Sequence, residues 1–340
     1  CCSCCGLWRR CPRAAAALLL AVALGKLVPD WKVRLRARFV ASLCRAGILR
    51  DLPAQRAAAA AAAPAVEPEL CELRARLWQP STRPYKLAAR EPGRPAAQDG
   101  QDAWVDRALN GSRGLFAVES GAFDGEFLSN TLFLETARGW HCLLVEANPY
   151  LAWPLLAKRR KCHVLSGGLS FTGAVGSFRF RPRHVFGGFE ETLSAHDEEE
   201  WQGRWNPAAG WALGLLTWLA APFALDVPVN VTAFPLGLVL RALGRDVVDY
   251  WSLDTEGSEL RILEQTDFGS VEFGIISVET RGEAAKRASV AALLGRHGLE
   301  HVGTSAPEGY DDFFANRGYF RRRGLPFPEW RDAAQDAAPG

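Results

Sequence analysis

Methionine is absent from all 340 residues, position 1 included. The sequence is therefore expected to begin inside a longer polypeptide. Neither sign of charge dominates: 40 basic and 38 acidic residues leave a net charge of +2. Global charge gives no reason to expect nucleic acid, and the aromatic-and-basic strand pattern of RNA-binding sheets is missing too. Histidine is scarce, at six residues. None follows the clustered Cys1, Cys2, Cys4, Cys5 and Cys11 at ligand spacing, so a zinc site is not expected there, and no metal is expected elsewhere. The apolar run Ala14–Leu24 is shorter than the ~20 residues that span a bilayer.

What is present divides the chain unevenly. Arg9, Arg10 and Arg13 precede that apolar run, and Ala21-Val22-Ala23 follows within it. This reads as a signal peptide or short membrane anchor over residues 1–30. It implies the secretory pathway, in the membrane or lumen of the endoplasmic reticulum or Golgi, with membrane association through the N-terminus; a cytoplasmic protein is the alternative. The N-terminal cysteines are candidates for S-acylation or plain surface thiols. Residues 31–52 form a basic helix with Leu35, Phe39, Leu43 and Ala46 at helical spacing. The run Ala57–Ala63 and six prolines from Pro64 to Pro95 make the rest of 31–100 a linker with little fixed structure. A folded domain is expected over 101–325, beginning near Trp104, with a tail at 326–340. Residues 205–225 interrupt it with Trp205, Trp211 and Trp218 in an apolar insertion. A lid, a membrane-dipping segment and a helix packed on the core all fit, the last best. Cys142 and Cys162 read as buried free thiols.

Within the domain, apolar strands alternate with helices. Strands are expected at Leu115–Glu119, Leu143–Glu146, His163–Ser166, Asp249–Asp254 and Gly274–Glu279. Helices are expected at Ser129–Ala137, Pro149–Arg160 and Ala284–His297. That alternation predicts an α/β fold, a doubly wound and mostly parallel sheet covered on both faces. Ligands of such sheets lie outside the carboxyl ends of the strands. Glu119, Glu146, Asp254 and Glu279 fall at four of those ends.

The first strand runs into Glu119-Ser120-Gly121-Ala122-Phe123-Asp124-Gly125. The glycines let backbone approach a ligand without an intervening Cβ. The second strand ends in Glu146, placed to accept hydrogen bonds from ribose hydroxyls. A dinucleotide fingerprint reads G-x-G-x-x-G and seats a pyrophosphate. Here an acid stands two residues before the first glycine, which suits a cation, such as the ammonium and sulfonium of S-adenosylmethionine (SAM).

The residues also carry a family likeness. Phe116–Thr131, Gly139-Trp140 with Leu144–Pro149, and Tyr250-Trp251-Ser252-Leu253-Asp254-Thr255-Glu256-Gly257-Ser258-Glu259-Leu260 stand in order. Together they resemble the three motifs of FkbM-type SAM-dependent methyltransferases, across roughly residues 104–320. The wording of the first motif is most similar to the animal branch, which includes Star-like proteins of the secretory pathway. The resemblance implies a class I methyltransferase (Rossmann-like) fold and methylation of a hydroxyl acceptor. It implies that Glu119, Gly121 and Gly125 line the methionine part of SAM, and that Ser120, Ala122, Phe123, Ser129 and Asn130 also bind the cofactor. Glu146 would hold the ribose with Asn148 beside it, and Gly168 and Leu169 would approach the adenine. Asp254 and Glu256 would sit near the sulfonium and the acceptor as catalytic candidates. His184 and His196 are weaker candidates for the base. The Star-like branch also implies an alternative: a non-catalytic protein binding membrane-protein cargo for trafficking. Two glycosylation sequons, Asn110-Gly111-Ser112 and Asn230-Val231-Thr232, matter only to a lumenal domain.

Overall fold

The computed structural model describes residue 42 and residues 68–88, 93–194, 227–305 and 310–329. The N-terminal hydrophobic segment, the basic helix over 31–52, the alanine run, the insertion at 205–225 and the end of the tail lie outside the described residues. So does His196. Among the described residues, no helix is long and apolar enough to cross a membrane.

An eight-stranded mixed sheet organises the domain. In chain order its strands are β1 (Leu77–Trp78), β2 (Phe116–Ser120), β3 (His141–Glu146), β4 (His163–Ser166), β9 (Val247–Leu253), β10 (Glu272–Glu279), β11 (Leu299–Thr304) and β12 (Asp311–Asn316). Their spatial order is β1-β4-β3-β2-β9-β10-β12-β11. The five strands from β4 to β10 run parallel. Strand β12 is antiparallel to both its neighbours, and β1 is antiparallel to β4. The order reverses between β2 and β9, which makes their carboxyl ends the place to look for a ligand. A second sheet joins β5 (Gly168–Leu169), β8 (Val229–Phe234), β6 (Gly176–Arg181) and β7 (Gly188–Phe189) in that order.

The period-2 alternation of side chains sorts the strands into two cores. On one face Val118, Leu143, Trp251 and Ile276 pack with α5 (Leu236–Leu243), α6 (Glu259–Glu264), α7 (Ala284–Gly295) and the second sheet. On the other face Ala117, Leu144, Tyr250 and Phe313 pack with α2 (Gln101–Ala108), α3 (Leu132–Arg138), α4 (Ala152–Ala157) and α8 (Arg317–Arg322). Strands buried on both sides must be apolar throughout, which explains the near-continuous hydrophobic runs in the sequence. Trp251, fully buried, also donates from Nε1 to Ser120 Oγ at 3.0 Å. Truncating it to alanine would cost about 3–5 kcal/mol.

The structure corrects two expectations. The linker predicted over 31–100 becomes ordered chain at Pro68. Helix α1 (Pro68–Arg76) leads into β1, which pairs with β4. Pro68 occupies the first helical position, where its missing N–H costs nothing, and Cys71, Leu73, Ala75 and Leu77 are buried. An extended strap follows. Ser81 N donates to Arg160 O at 3.0 Å and Lys86 N to Lys158 O at 2.9 Å. Proline-rich composition suggested a chain without partners, but an extended edge strap accommodates prolines. Second, Cys142 and Cys162 are not free thiols. They form a disulfide between β3 and the bend just before β4, with Cα atoms 4.6 Å apart. Strand register decides this pairing, and sequence spacing does not reveal it. Cys71 is disulfide-bonded as well.

Candidate active site

A cavity of about 430 Å³ opens at the carboxyl ends of the parallel strands. Its floor carries a row of acids. Glu146, Glu119, Asp254, Glu279 and Asp311 stand at the ends of β3, β2, β9, β10 and β12, one per strand in sheet order. Each shares the parity of its strand's residues in the second core (Leu144, Ala117, Tyr250, Ile275 and Phe313). All five therefore project from one face of the sheet.

Glu119 is held by the loop it precedes. Its carboxylate accepts from Ser129 Oγ at 2.9 Å, from Asn130 N at 2.8 Å and from Thr131 Oγ1. Burial raises its pKa, and the neighbouring Arg160 works against that rise. Thr131 precedes α3 without capping it through its side chain, because its hydroxyl serves Glu119. Behind this loop lies Arg160, 2% exposed. Its guanidinium pairs with Glu135 and donates to Gly125 O, to Ser129 Oγ at 3.2 Å and to Thr131 Oγ1 at 3.1 Å. It also lies 3.8 Å from Cys162 Sγ.

The glycine turn is pinned to β3. Gly121 N and Ala122 N both donate to Val145 O at 3.0 Å. Gly121 has φ +89°, and a Cβ there would collide with the Asp254 carbonyl. Gly125 has φ +78°, and a Cβ there would collide with Leu155. Phe123 N and Asn148 N donate to the two oxygens of Glu146, each at 2.7 Å. Burial first, and then the charge of Asp254, pushes the Glu146 carboxyl up to about 8.

Across the switch point the acids have different partners. Asp254 N donates to Ser120 O at 3.1 Å. Its side chain shares a hydrogen bond with Glu279, while Oδ1 has no hydrogen-bond partner among the described residues. Burial and the charge of Glu259 push Asp254 up to about 6, and burial drives Glu279 well above the usual carboxylate range. Glu256 adopts φ +56° and pairs with Arg281, itself at φ +53°. Arg281 Nε also lies 3.3 Å from Glu279. Oxygens of Asp254, Glu256 and Glu279 lie within 4.8 Å of one another, a set able to hold a cation. In this structure Arg281 supplies the positive charge. Glu259, fully buried, ties the loop after β9. It accepts from Thr255 N at 2.7 Å and Gly257 N at 3.2 Å and pairs with Lys286 at 3.0 Å.

Ten of the residues expected at the site line the cavity: Glu119, Ser120, Gly121, Phe123, Asn130, Glu146, Gly168, Leu169, Asp254 and Glu256. Ala122, Gly125, Ser129 and Asn148 do not; they support the residues that do. Asn148 Oδ1, for instance, accepts from Tyr150 N at 3.1 Å in the turn before α4. Gly168 and Leu169 line the cavity from the second sheet, not from a turn. His184 begins a 3₁₀ turn over His184–Phe186. The sequence did not reveal the aromatic wall, Phe180 and Phe189 of the second sheet with Phe186 of the turn between them, or the far wall of Asp99, Gln101 and Asp311. A strand beginning in Asp311-Asp312 was the available signal for the last of these.

Comparison with known proteins agrees with this geometry. The sequence pattern described as the methyltransferase FkbM domain matches residues 119–320, more than half of the chain. No curated protein matches the chain. With the parallel strands, the switch-point cavity and the acidic row within the matched span, the chain belongs to the FkbM methyltransferase family.

Proposed function

We propose that the protein is a SAM-dependent O-methyltransferase of the secretory pathway, with a class I, Rossmann-like domain. The observation that carries the reading is the pairing of Glu146 at the end of β3 with the tight Gly121 turn beside it, both in the cavity wall. The residues fit the cofactor. Gly121 lines the cavity, and its Cβ position is taken by the Asp254 carbonyl, so the two loops close tightly on each other there. Glu146 keeps acceptor capacity for ribose hydroxyls beyond its two backbone donors. The acidic floor suits the cofactor's ammonium and sulfonium.

When bound, SAM supplies an electrophilic methyl group on a sulfonium. The chain's residues do the rest. The Glu119 loop and the Gly121 turn fix the floor. The aromatic wall of the second sheet encloses the end beside Gly168 and Leu169. Asp254 Oδ1, without a hydrogen-bond partner among the described residues, accepts the acceptor's hydroxyl and takes its proton as the oxygen is methylated. Glu256 acts differently: its ion pair with Arg281 holds the mouth of the cavity in place. Alignment of the acceptor oxygen in this cavity supplies much of the rate enhancement.

The secretory assignment is supported by the Cys142–Cys162 disulfide, since such bonds persist in oxidising compartments. The sequon residues Asn110 and Asn230 are exposed, as glycosylation requires. A mass shift on endoglycosidase treatment of the protein from secretory cells would support the lumenal location. An unmodified protein found in the cytosol would overturn it.

Calorimetric titration of SAM and S-adenosylhomocysteine (SAH) into the protein tests the cofactor reading, with Gly121→Arg and Glu146→Ala variants alongside. Binding weakened by both substitutions is expected. A folded wild type that binds neither compound sinks the enzyme reading. Binding with no transfer to any hydroxyl acceptor would favour the Star-like, cargo-binding alternative.

A further inference from the structure

The acids of the cavity floor are not equally provided for. Glu119 and Glu146 accept backbone N–H groups, and Glu256 and Glu279 have Arg281. Asp311 has none of these. It is 8% exposed and lines the cavity. Its Oδ2 accepts from Gln101 Nε2 at 2.6 Å. Among the described residues no cation pairs with it, and its Oδ1 takes no hydrogen bond. Its backbone is fixed: Asp311 N donates to Ser305 Oγ at 3.0 Å, Asp311 O accepts from Ser305 N at 2.8 Å, and its Cα pairs with Glu279 across the sheet. Gln101 is fixed in turn, because Asp99 N donates to its Oε1 at 2.8 Å. A second carboxylate, Asp99, lines the same wall.

A buried carboxylate without a cation is costly, and a ligand cation placed beside it removes that cost. Burial and the charge of Asp254 push Asp311 up to about 7, and a cation placed beside it would favour its ionised form. The residues that fit the cofactor, Glu119, Gly121 and Glu146, stand on β2 and β3 or beside them, across the switch point from Asp311, so we assign the group that reaches Asp311 to the acceptor.

We propose that the acceptor is an amino-alcohol, whose hydroxyl meets Asp254 and whose ammonium pairs with Asp311. This rests on the methyltransferase reading above and names the substrate class of the same cavity. Strands about 4.8 Å apart put these two acids roughly 10 Å apart along the row, so an acceptor with about four to six carbons between oxygen and nitrogen spans them. In the transfer, the O–CH₃ bond forms as the S–CH₃ bond breaks. The hydroxyl proton goes to Asp254, SAH leaves as a neutral thioether, and the ammonium keeps its charge on Asp311.

The test is binding to the full chain loaded with SAH, read by saturation-transfer NMR. The probes are 4-aminobutan-1-ol and 6-aminohexan-1-ol against butane-1,4-diol and hexane-1,6-diol. The amino-alcohols are expected to bind about tenfold more tightly than the matched diols, as one charge-assisted contact gives. Asp311→Asn should abolish that preference with SAH affinity changed less than about twofold, while Asp311→Glu keeps it. SAH affinity is the check that each variant is folded, and Asp311→Ser is the second neutral variant. Equal binding of diols and amino-alcohols overturns the proposal. So does a preference that survives both neutral substitutions, or no amino-alcohol binding at about 10 mM. Failure of SAH to bind the wild type overturns the cofactor reading instead.

Discussion

The two halves of the cavity floor are built on opposite principles. On the β3–β2 side, Glu146 and Glu119 are clasped by backbone N–H groups and hydroxyls of their own loops. On the β9–β10–β12 side, Asp254, Glu279 and Asp311 face side chains, one another or open space. Backbone donors are fixed by the fold, so the first half presents the same shape to every ligand. Side-chain partners can change with a few substitutions, so the second half is the one free to select an acceptor. A fold can therefore hold one cofactor while the acceptor chemistry varies.

Four experiments break or sharpen that contrast. The largest effect is expected from Arg160→Met. It strips the brace behind the clasped half and leaves Glu135 buried without its cation, at a cost of about 3–5 kcal/mol, read by chemical denaturation. A loss under about 1 kcal/mol would show that the brace is dispensable. Next comes Asp254→Asn in the open half. Transfer should drop about a hundredfold with SAM affinity within about threefold; equal losses in both would place Asp254 on the cofactor instead. Glu146→Gln, in the clasped half, should do the reverse and weaken SAH about tenfold by calorimetry. Unchanged affinity would remove Glu146 from the ribose role.

The smallest effect concerns pH. The carboxyls of Glu146, Asp311 and Asp254 are raised to about 8, 7 and 6 from ordinary values of 4.5, 3.8 and 3.8. The folded protein keeps protons that the unfolded chain has already released, so stability present at low pH is lost as pH rises through those values. Tm should fall by a few degrees between about pH 5.5 and 8.5, and Glu146→Gln should flatten the slope. A melting profile with no slope, or one that rises over this interval, would contradict the protonation assigned to the floor.

Much of the clasped half was legible in the sequence, because its parts are local. A strand, a glycine turn and an acid at the next strand's end lie within thirty or so residues, and hydrophobic runs mark the strands. Glu119, Gly121 and Glu146 needed no knowledge of register. The open half was not legible in the same way. Asp311 meets Gln101 across 210 positions of sequence, and only the pairing of β10 with β12 brings it beside Glu279. The ion pair of Glu256 was hidden for a similar reason: its partner Arg281 sits on the loop after another strand. Composition misled at residues 68–88, where Pro68 opens a helix and Pro80 and Pro84 lie in the extended strap that follows β1. The disulfide was hidden because two cysteines 20 positions apart become neighbours only through parallel pairing of β3 and β4.

Arg160 touches Cys162 with the same guanidinium that holds Gly125, Ser129 and Thr131. One side chain thus joins the covalent staple to the loop that holds Glu119 in the cavity wall. Cutting the staple removes no atom from the cavity, yet it frees the turn before β4 on which the brace stands. An oxidising or a reducing setting would thereby reach the acid-lined wall through one side chain, with no change among the cavity's own residues.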